Sequence, residues 1–74
     1  MLMDEIDEIV EVLLKNNMNI TESAKSMYLH RNTLLYKIEK IKKITGYDLK
    51  KIEDLLVLRI FCLIKKYLDV VYLK

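Results

Sequence analysis

Residues 20–39 read ITESAKSMYLHRNTLLYKIE, and the positions of the small and apolar residues in this stretch decide the fold. The small residue Ala24 falls at the fifth position. Met27, Leu29, Leu34 and Ile38 fall at the eighth, tenth, fifteenth and nineteenth. Two short helices that cross steeply need this arrangement: a side chain small enough for close approach, and four apolar ones to fill the angle between them. Asn19 is a good N-cap for the first of the two, about Ile20 to Met27, with Glu22 placed to reach back to it as in a capping box. Tyr28, Leu29 and His30 leave room only for a tight turn. The second helix is expected from about Arg31 to Ile44 or Thr45. Leu34, Ile38, Ile41 and Thr45 share one of its faces, with Leu35 beside them. Steps of about 100° per residue place Asn32, Tyr36, Lys40 and Lys43 on the opposite face. Gly46 is placed to stop the helix in a left-handed conformation. Many motifs of this helix-turn-helix type carry Gly in the turn, where this chain has Tyr28.

Working outward, Ile6, Ile9, Val10, Leu13 and Leu14 recur at helical spacing and predict a helix over about Asp4 to Leu14. Its acids are expected on the solvated face and in the N-terminal turns, where the helix dipole favours them. Asn16 and Asn17 are expected to end it, since Asn tolerates positive φ better than most residues. A last helix begins between Asp48 and Ile52, about 51–72 in extent, and runs towards Leu73. Its apolar residues nearly encircle its first half, so it must be covered on most sides. Three short helices can cover one side, and a second copy of the chain is the expected cover for the other. The chain is thus expected to be all-α, a single four-helix domain over residues 1–74, with its motif at 20–45 and a long apolar C-terminal helix.

Composition agrees. Seventy-four residues with no Pro and one Gly leave little provision for hairpins. A 53% hydrophobic content is high for so small a domain, which again favours a homodimer. Net charge is +2 but unevenly spread. Residues 1–14 carry −5, whereas residues 25–51 carry eight Lys or Arg against two acids. A basic centre of this kind suits phosphate, although an ordinary solvated lysine face would look the same.

The combination His30-Arg31-Asn32-Thr33-Leu34, then Tyr36-Lys37-Ile38, then Thr45-Gly46-Tyr47-Asp48-Leu49 closely resembles the C-terminal helix-turn-helix of the PucR/CdaR-type bacterial transcriptional regulators, a group similar to the Fis-like DNA-binding domains. The resemblance runs over roughly Ile9 to Leu63. It departs from the family at Leu35, where a basic residue is usual, and at Ile52, where Pro is usual. Family members are generally longer, with a sensing region ahead of this domain.

The resemblance implies a Fis-like or homeodomain-like fold and sequence-specific binding of double-stranded DNA, with the recognition helix, about 31–44, in the major groove. By position, Arg31 resembles an arginine that enters the groove, where two parallel hydrogen bonds to guanine are available to it; a phosphate contact or surface ion pair is its other reading. Thr33 suits a phosphate near the helix start, or a local cap. Asn32 suits adenine or the nearby backbone. Tyr36 faces outward, towards phosphate or a thymine methyl, or as a rim residue packed on the helix. Lys37, Lys40 and Lys43 are phosphate candidates, and Lys25 is placed to touch the DNA backbone from the preceding helix. His30 caps the third helix or bonds phosphate. Glu39 is expected to point away from the DNA, because phosphate repels it.

An enzyme is not expected. One His, one Cys and no Gly-rich phosphate loop supply neither a nucleophile–base pair nor a metal-ligand set. No cofactor and no small-molecule ligand is implied. Cys62 on an apolar helix reads as core. The acids near the N-terminus do not fit a secretory leader, and the apolar run around residues 55–64 is broken by Arg59 and too short for a bilayer. No membrane partner is therefore expected, and the location implied is the prokaryotic cytoplasm, at the nucleoid. The competing class is a helical dimerisation or protein-interaction module that does not bind DNA. It accounts for the apolar last helix, but not for a basic outward face joined to His-Arg-Asn-Thr-Leu.

Overall fold

A computed structural model describes residues 3–72. They form four helices: α1 (Met3–Lys15), α2 (Ile20–Ser26), α3 (Arg31–Thr45) and α4 (Ile52–Tyr72). The expected end of the last helix at Leu73 lies outside the described residues. Helix α1 runs one residue beyond the expected span at each end, and α2 stops one residue short, with Met27 as its C-cap.

The ends follow local chemistry. Asn17 does take positive φ (54°), but so does the following Met18 (66°), an unbranched side chain that packs onto the core. The Met18 N–H donates to the Leu13 carbonyl at 2.7 Å, satisfying one of the carbonyls that the end of α1 exposes. Asn19 caps α2 by accepting from the Glu22 N–H at 2.9 Å. The reciprocal half of the expected capping box does not form. The Asn19 N–H goes to the Asn16 carbonyl, and the Glu22 carboxylate turns to Lys25. Gly46 closes α3 at φ 82° and donates to the Lys42 carbonyl at 2.8 Å. Between α3 and α4 the chain folds tightly on itself. The Asp48 N–H donates to Asp54 and the Lys50 N–H to Asp48, both at 2.9 Å, while Leu49 plugs fully into the core. Ile52 begins α4 where the family usually has Pro. Pro is welcome at a first helical position, and an ordinary residue serves there as well.

The core joins Ile6, Ile9, Val10 and Leu13 of α1, Ala24 of α2, Leu34, Ile38 and Ile41 of α3, Leu49, and Leu55, Leu58 and Cys62 of α4. Helix α1 packs mainly on α4 and also on α2, while α2 packs on α3. Ala24 is 1% exposed at the α2–α3 crossing. Its carbonyl accepts from the N–H groups of both Met27 (3.1 Å) and Leu29 (2.9 Å), which binds the turn to the crossing. Helix α4 spans about 32 Å at 1.5 Å per residue and accounts for most of the 37 Å long axis.

One expectation about α1 needs correction. Asp7 is not on the solvated acidic face but is buried. Its carboxylate lies 2.5 Å from Lys66 Nζ and 3.5 Å from Arg59, so it clamps α1 to α4. No helix among the described residues is long and apolar enough to cross a membrane.

Candidate nucleic-acid interface

The turn that presents α3 is held in an unusual way. Tyr28 occupies the left-handed region (φ 57°) with 97% of its surface exposed. Such a conformation costs a non-glycine residue roughly 1–2 kcal/mol, so the surrounding contacts must fix the turn: the Tyr28 N–H donates to the Lys25 carbonyl at 3.1 Å, and Leu29 packs on the core. His30 then caps α3, its Nδ1 accepting from the Asn32 N–H at 3.0 Å. Of its two roles in the sequence reading, the cap is formed. Accepting at Nδ1 leaves the ring proton on Nε2, the outer nitrogen. The Thr33 and Leu34 N–H groups share the His30 carbonyl, at 3.0 and 3.2 Å.

Helix α3 buries Leu34, Ile38 and Ile41 on one stripe. Arg31, Asn32 and Thr33 are exposed in its first turn. Further along, Tyr36, Glu39, Lys40 and Lys43 line a shallow groove of about 200 Å³ on the face away from the core. Tyr36 is 67% exposed there. Arg31, Lys40 and Lys43 make no ion pair among the described residues, so their charge is available to a partner. Lys25, on α2, is exposed and only loosely paired, 3.7 Å from Glu22. Pairs as open as this one are worth little.

Two residues sit differently from the sequence reading. Lys37, taken from the sequence as a phosphate candidate, is directed at α1, where its Nζ donates to Glu5 at 2.6 Å. That bond holds the Glu5 carboxyl below its usual range. Lys37 therefore braces α3 against the acidic first helix, and its charge is already matched. Glu39, expected to point away, lies in the groove with Tyr36, Lys40 and Lys43. Its position three residues after Tyr36 and four before Lys43 was the signal that placed it there. Glu39 makes no hydrogen bond or ion pair among the described residues.

Among the described residues no group of His, Cys, Asp and Glu could hold a metal ion. Cys62 is buried beside Met3, Sγ to Sδ 3.7 Å, and burial, then the nearby Asp7 charge, push its thiol up. It stays a protonated core residue.

Comparison with known proteins bears on this geometry. The family described as the PucR C-terminal helix-turn-helix domain matches residues 8–64. The chain is 36% identical over 59 residues to the uncharacterized protein YxkF of Bacillus subtilis, covering 80% of this chain and 20% of that protein. It is 39% identical over 51 residues to the purine catabolism regulatory protein of the same organism, covering 69% of this chain and 10% of the regulator. It is 36% identical over 44 residues to the carbohydrate diacid regulator of Escherichia coli, covering 60% and 11%. The chain thus spans between a tenth and a fifth of the length of these relatives. No solved structure matches it.

Proposed function

The chain belongs to the family of PucR C-terminal helix-turn-helix domains, and from that premise we propose that it binds double-stranded DNA sequence-specifically as the reading module of a transcriptional regulator, α3 lying in the major groove. The family is a regulatory one, not a catalytic one. One observation carries the proposal: Asn32, Tyr36, Lys40 and Lys43 lie exposed on one side of α3, opposite the buried Leu34, Ile38 and Ile41, with both lysines free of ion-pair partners among the described residues. Arg31 and Thr33 flank this stripe at the helix start. Arg31 is assigned to a guanine edge, and Asn32 to adenine or the helix start. Thr33, Tyr36, Lys40 and Lys25 are assigned to phosphate and groove wall, where they add affinity and salt dependence but little sequence choice, and Lys43 to phosphate or a guanine edge. His30 orients the first turn and offers Nε2–H to a phosphate. Lys37 acts from behind, by fixing α3 against α1.

A second copy of the chain completes the reading. The outer part of α4 leaves Ile60, Phe61, Leu63, Ile64, Tyr67, Leu68, Val70 and Val71 roughly half or more exposed, a larger continuous apolar surface than soluble monomers commonly keep. Paired through this helix, two copies suit a near-palindromic site with recognition helices about 34 Å apart. The domain would then work at the nucleoid, in the cytoplasm.

Selection of bound duplexes from a random pool tests the binding. The parent chain is expected to enrich one sequence. Arg31→Ala is expected to bind with the same overall fold but to lose about 1–3 kcal/mol of preference at one base pair. No retention on heparin or duplex DNA at low salt would instead favour the helical interaction module that binds no DNA. Light scattering on the eluting protein tests the pairing, and a clean monomer at micromolar concentration rejects it.

A further inference from the structure

Glu39 sits where a simple phosphate-binding helix should have no acid. It lies two turns into α3, in the same groove as Tyr36, Lys40 and Lys43, and it has no protein partner among the described residues. The four residues stand at i, i+3, i+4 and i+7. That is the spacing by which a homeodomain recognition helix presents its base-reading residues. Towards phosphate a carboxylate here is only a cost, since it cancels part of the charge that Lys40 and Lys43 bring. Towards base edges it has a use that no lysine has. An ionised carboxylate only accepts hydrogen bonds. In the major groove it can meet the amino group of cytosine or adenine, and it is repelled by the acceptors of guanine and by the thymine carbonyl.

The geometry points to Glu39 as a specificity-determining residue that accepts a hydrogen bond from the cytosine amino group of a G·C pair, while Lys43, one turn on, donates to guanine O6 or N7. The inference rests on the DNA-binding reading above and adds to it the identity of one base pair. Cytosine is chosen over adenine because a G·C pair presents a donor on one base and two acceptors on the other. The groove offers the matching acceptor and donors side by side. An A·T pair also offers an amino group to the carboxylate, but its acceptors, adenine N7 and thymine O4, are split between the two bases, so Lys43 finds no pair of acceptors on one base.

The experiment is duplex selection followed by anisotropy titration, with the parent chain, Glu39→Gln and Glu39→Ala. Circular dichroism checks that each variant keeps the parent's helix content. The parent is expected to select a fixed G·C pair at one position of each half-site. Glu39→Ala is expected to lose about tenfold of its preference there and to leave other positions unchanged. Glu39→Gln, which can both donate and accept, is expected to shift the preference towards adenine. If Glu39→Ala selects the parent's sequence and merely binds every duplex more tightly, the carboxylate acts only by repulsion and the inference falls while DNA binding stands. If the parent selects no sequence at all, both readings fall together.

Discussion

Lys40 and Lys37 lie three residues apart on one helix, yet under the proposed function they have opposite fates at a DNA surface. Lys40 is exposed in the groove and unpaired among the described residues, whereas Lys37 is two-thirds covered and bonded to Glu5. Each lysine that displaces a counterion from duplex DNA adds about 0.9 to the slope of log affinity against log salt. If Lys25 and Lys40 each neutralise one phosphate, while Arg31 and Lys43 face base edges, the slope per bound copy is about −1.8, and affinity falls roughly 12-fold between about 50 and 200 mM salt. Lys40→Ala should reduce the slope to about −0.9 and the loss to roughly 3.5-fold over the same range. Lys37→Ala should leave the slope within experimental error of the parent and cost about 0.5 kcal/mol of folding stability, the worth of a partly exposed ion pair. Fluorescence anisotropy on a labelled duplex at five or six salt concentrations, with urea melts of the same samples, measures both quantities. Equal slope changes for the two variants would show that Lys37 leaves Glu5 for the DNA, and the assignment of faces on α3 would be wrong. An unchanged slope for Lys40→Ala would remove the groove from the interface.

Three further outcomes follow from the packing and the ion pairs. Ala24→Leu forces a larger side chain into the 1%-exposed α2–α3 crossing and should destabilise the fold by about 1–3 kcal/mol in urea melts; a variant as stable as the parent would mean that the crossing is not close. The neighbouring Ser23→Ala should act in the opposite sense, because the Ser23 hydroxyl is buried without a hydrogen-bond partner among the described residues, and removing it should gain about 1 kcal/mol by the same measurement. The Glu5–Lys37 bond lowers the Glu5 value, so its stabilisation is whole above the ordinary 4.5 and is lost as pH falls through the lowered value. Thermal melts of the parent and Glu5→Gln should therefore differ at pH 7 and converge in acid, and a gap that persists in acid would assign the effect to something other than this ionisation.

What the sequence made legible was whatever depends on short-range periodicity. The spacing of Ala24, Leu34 and Ile38 identified the crossed helix pair, and Gly46 marked the end of α3, because both are consequences of a repeat of 3.6 residues and of the conformational freedom of one residue type. Contacts set by the angle between distant helices were not legible. Asp7 looked like one more acid on a solvated face, since nothing nearby in sequence announces Arg59 and Lys66. Lys37 looked like a phosphate ligand for the same reason, its partner Glu5 lying 32 residues away. Glu39 was set apart from its neighbours by a charge argument that considered phosphate alone, although its spacing from Tyr36 and Lys43 already put it on the same stripe.

Among the described residues, helix α4 is anchored along its inner part, by Leu55, Leu58 and Cys62 together with the Asp7 clamp on Arg59 and Lys66. Beyond that anchor it is one uninterrupted rod, so its angular phase is locked to that of α3. Adding a single residue just after Lys66 would swing everything distal by about 100° and advance it by about 1.5 Å. Adding seven would restore the phase to within about 20° and move the distal surface outward by about 10 Å. A dimer built on this rod would thus accept length changes in whole heptads and reject single steps, and the separation of its two half-sites would follow the same arithmetic.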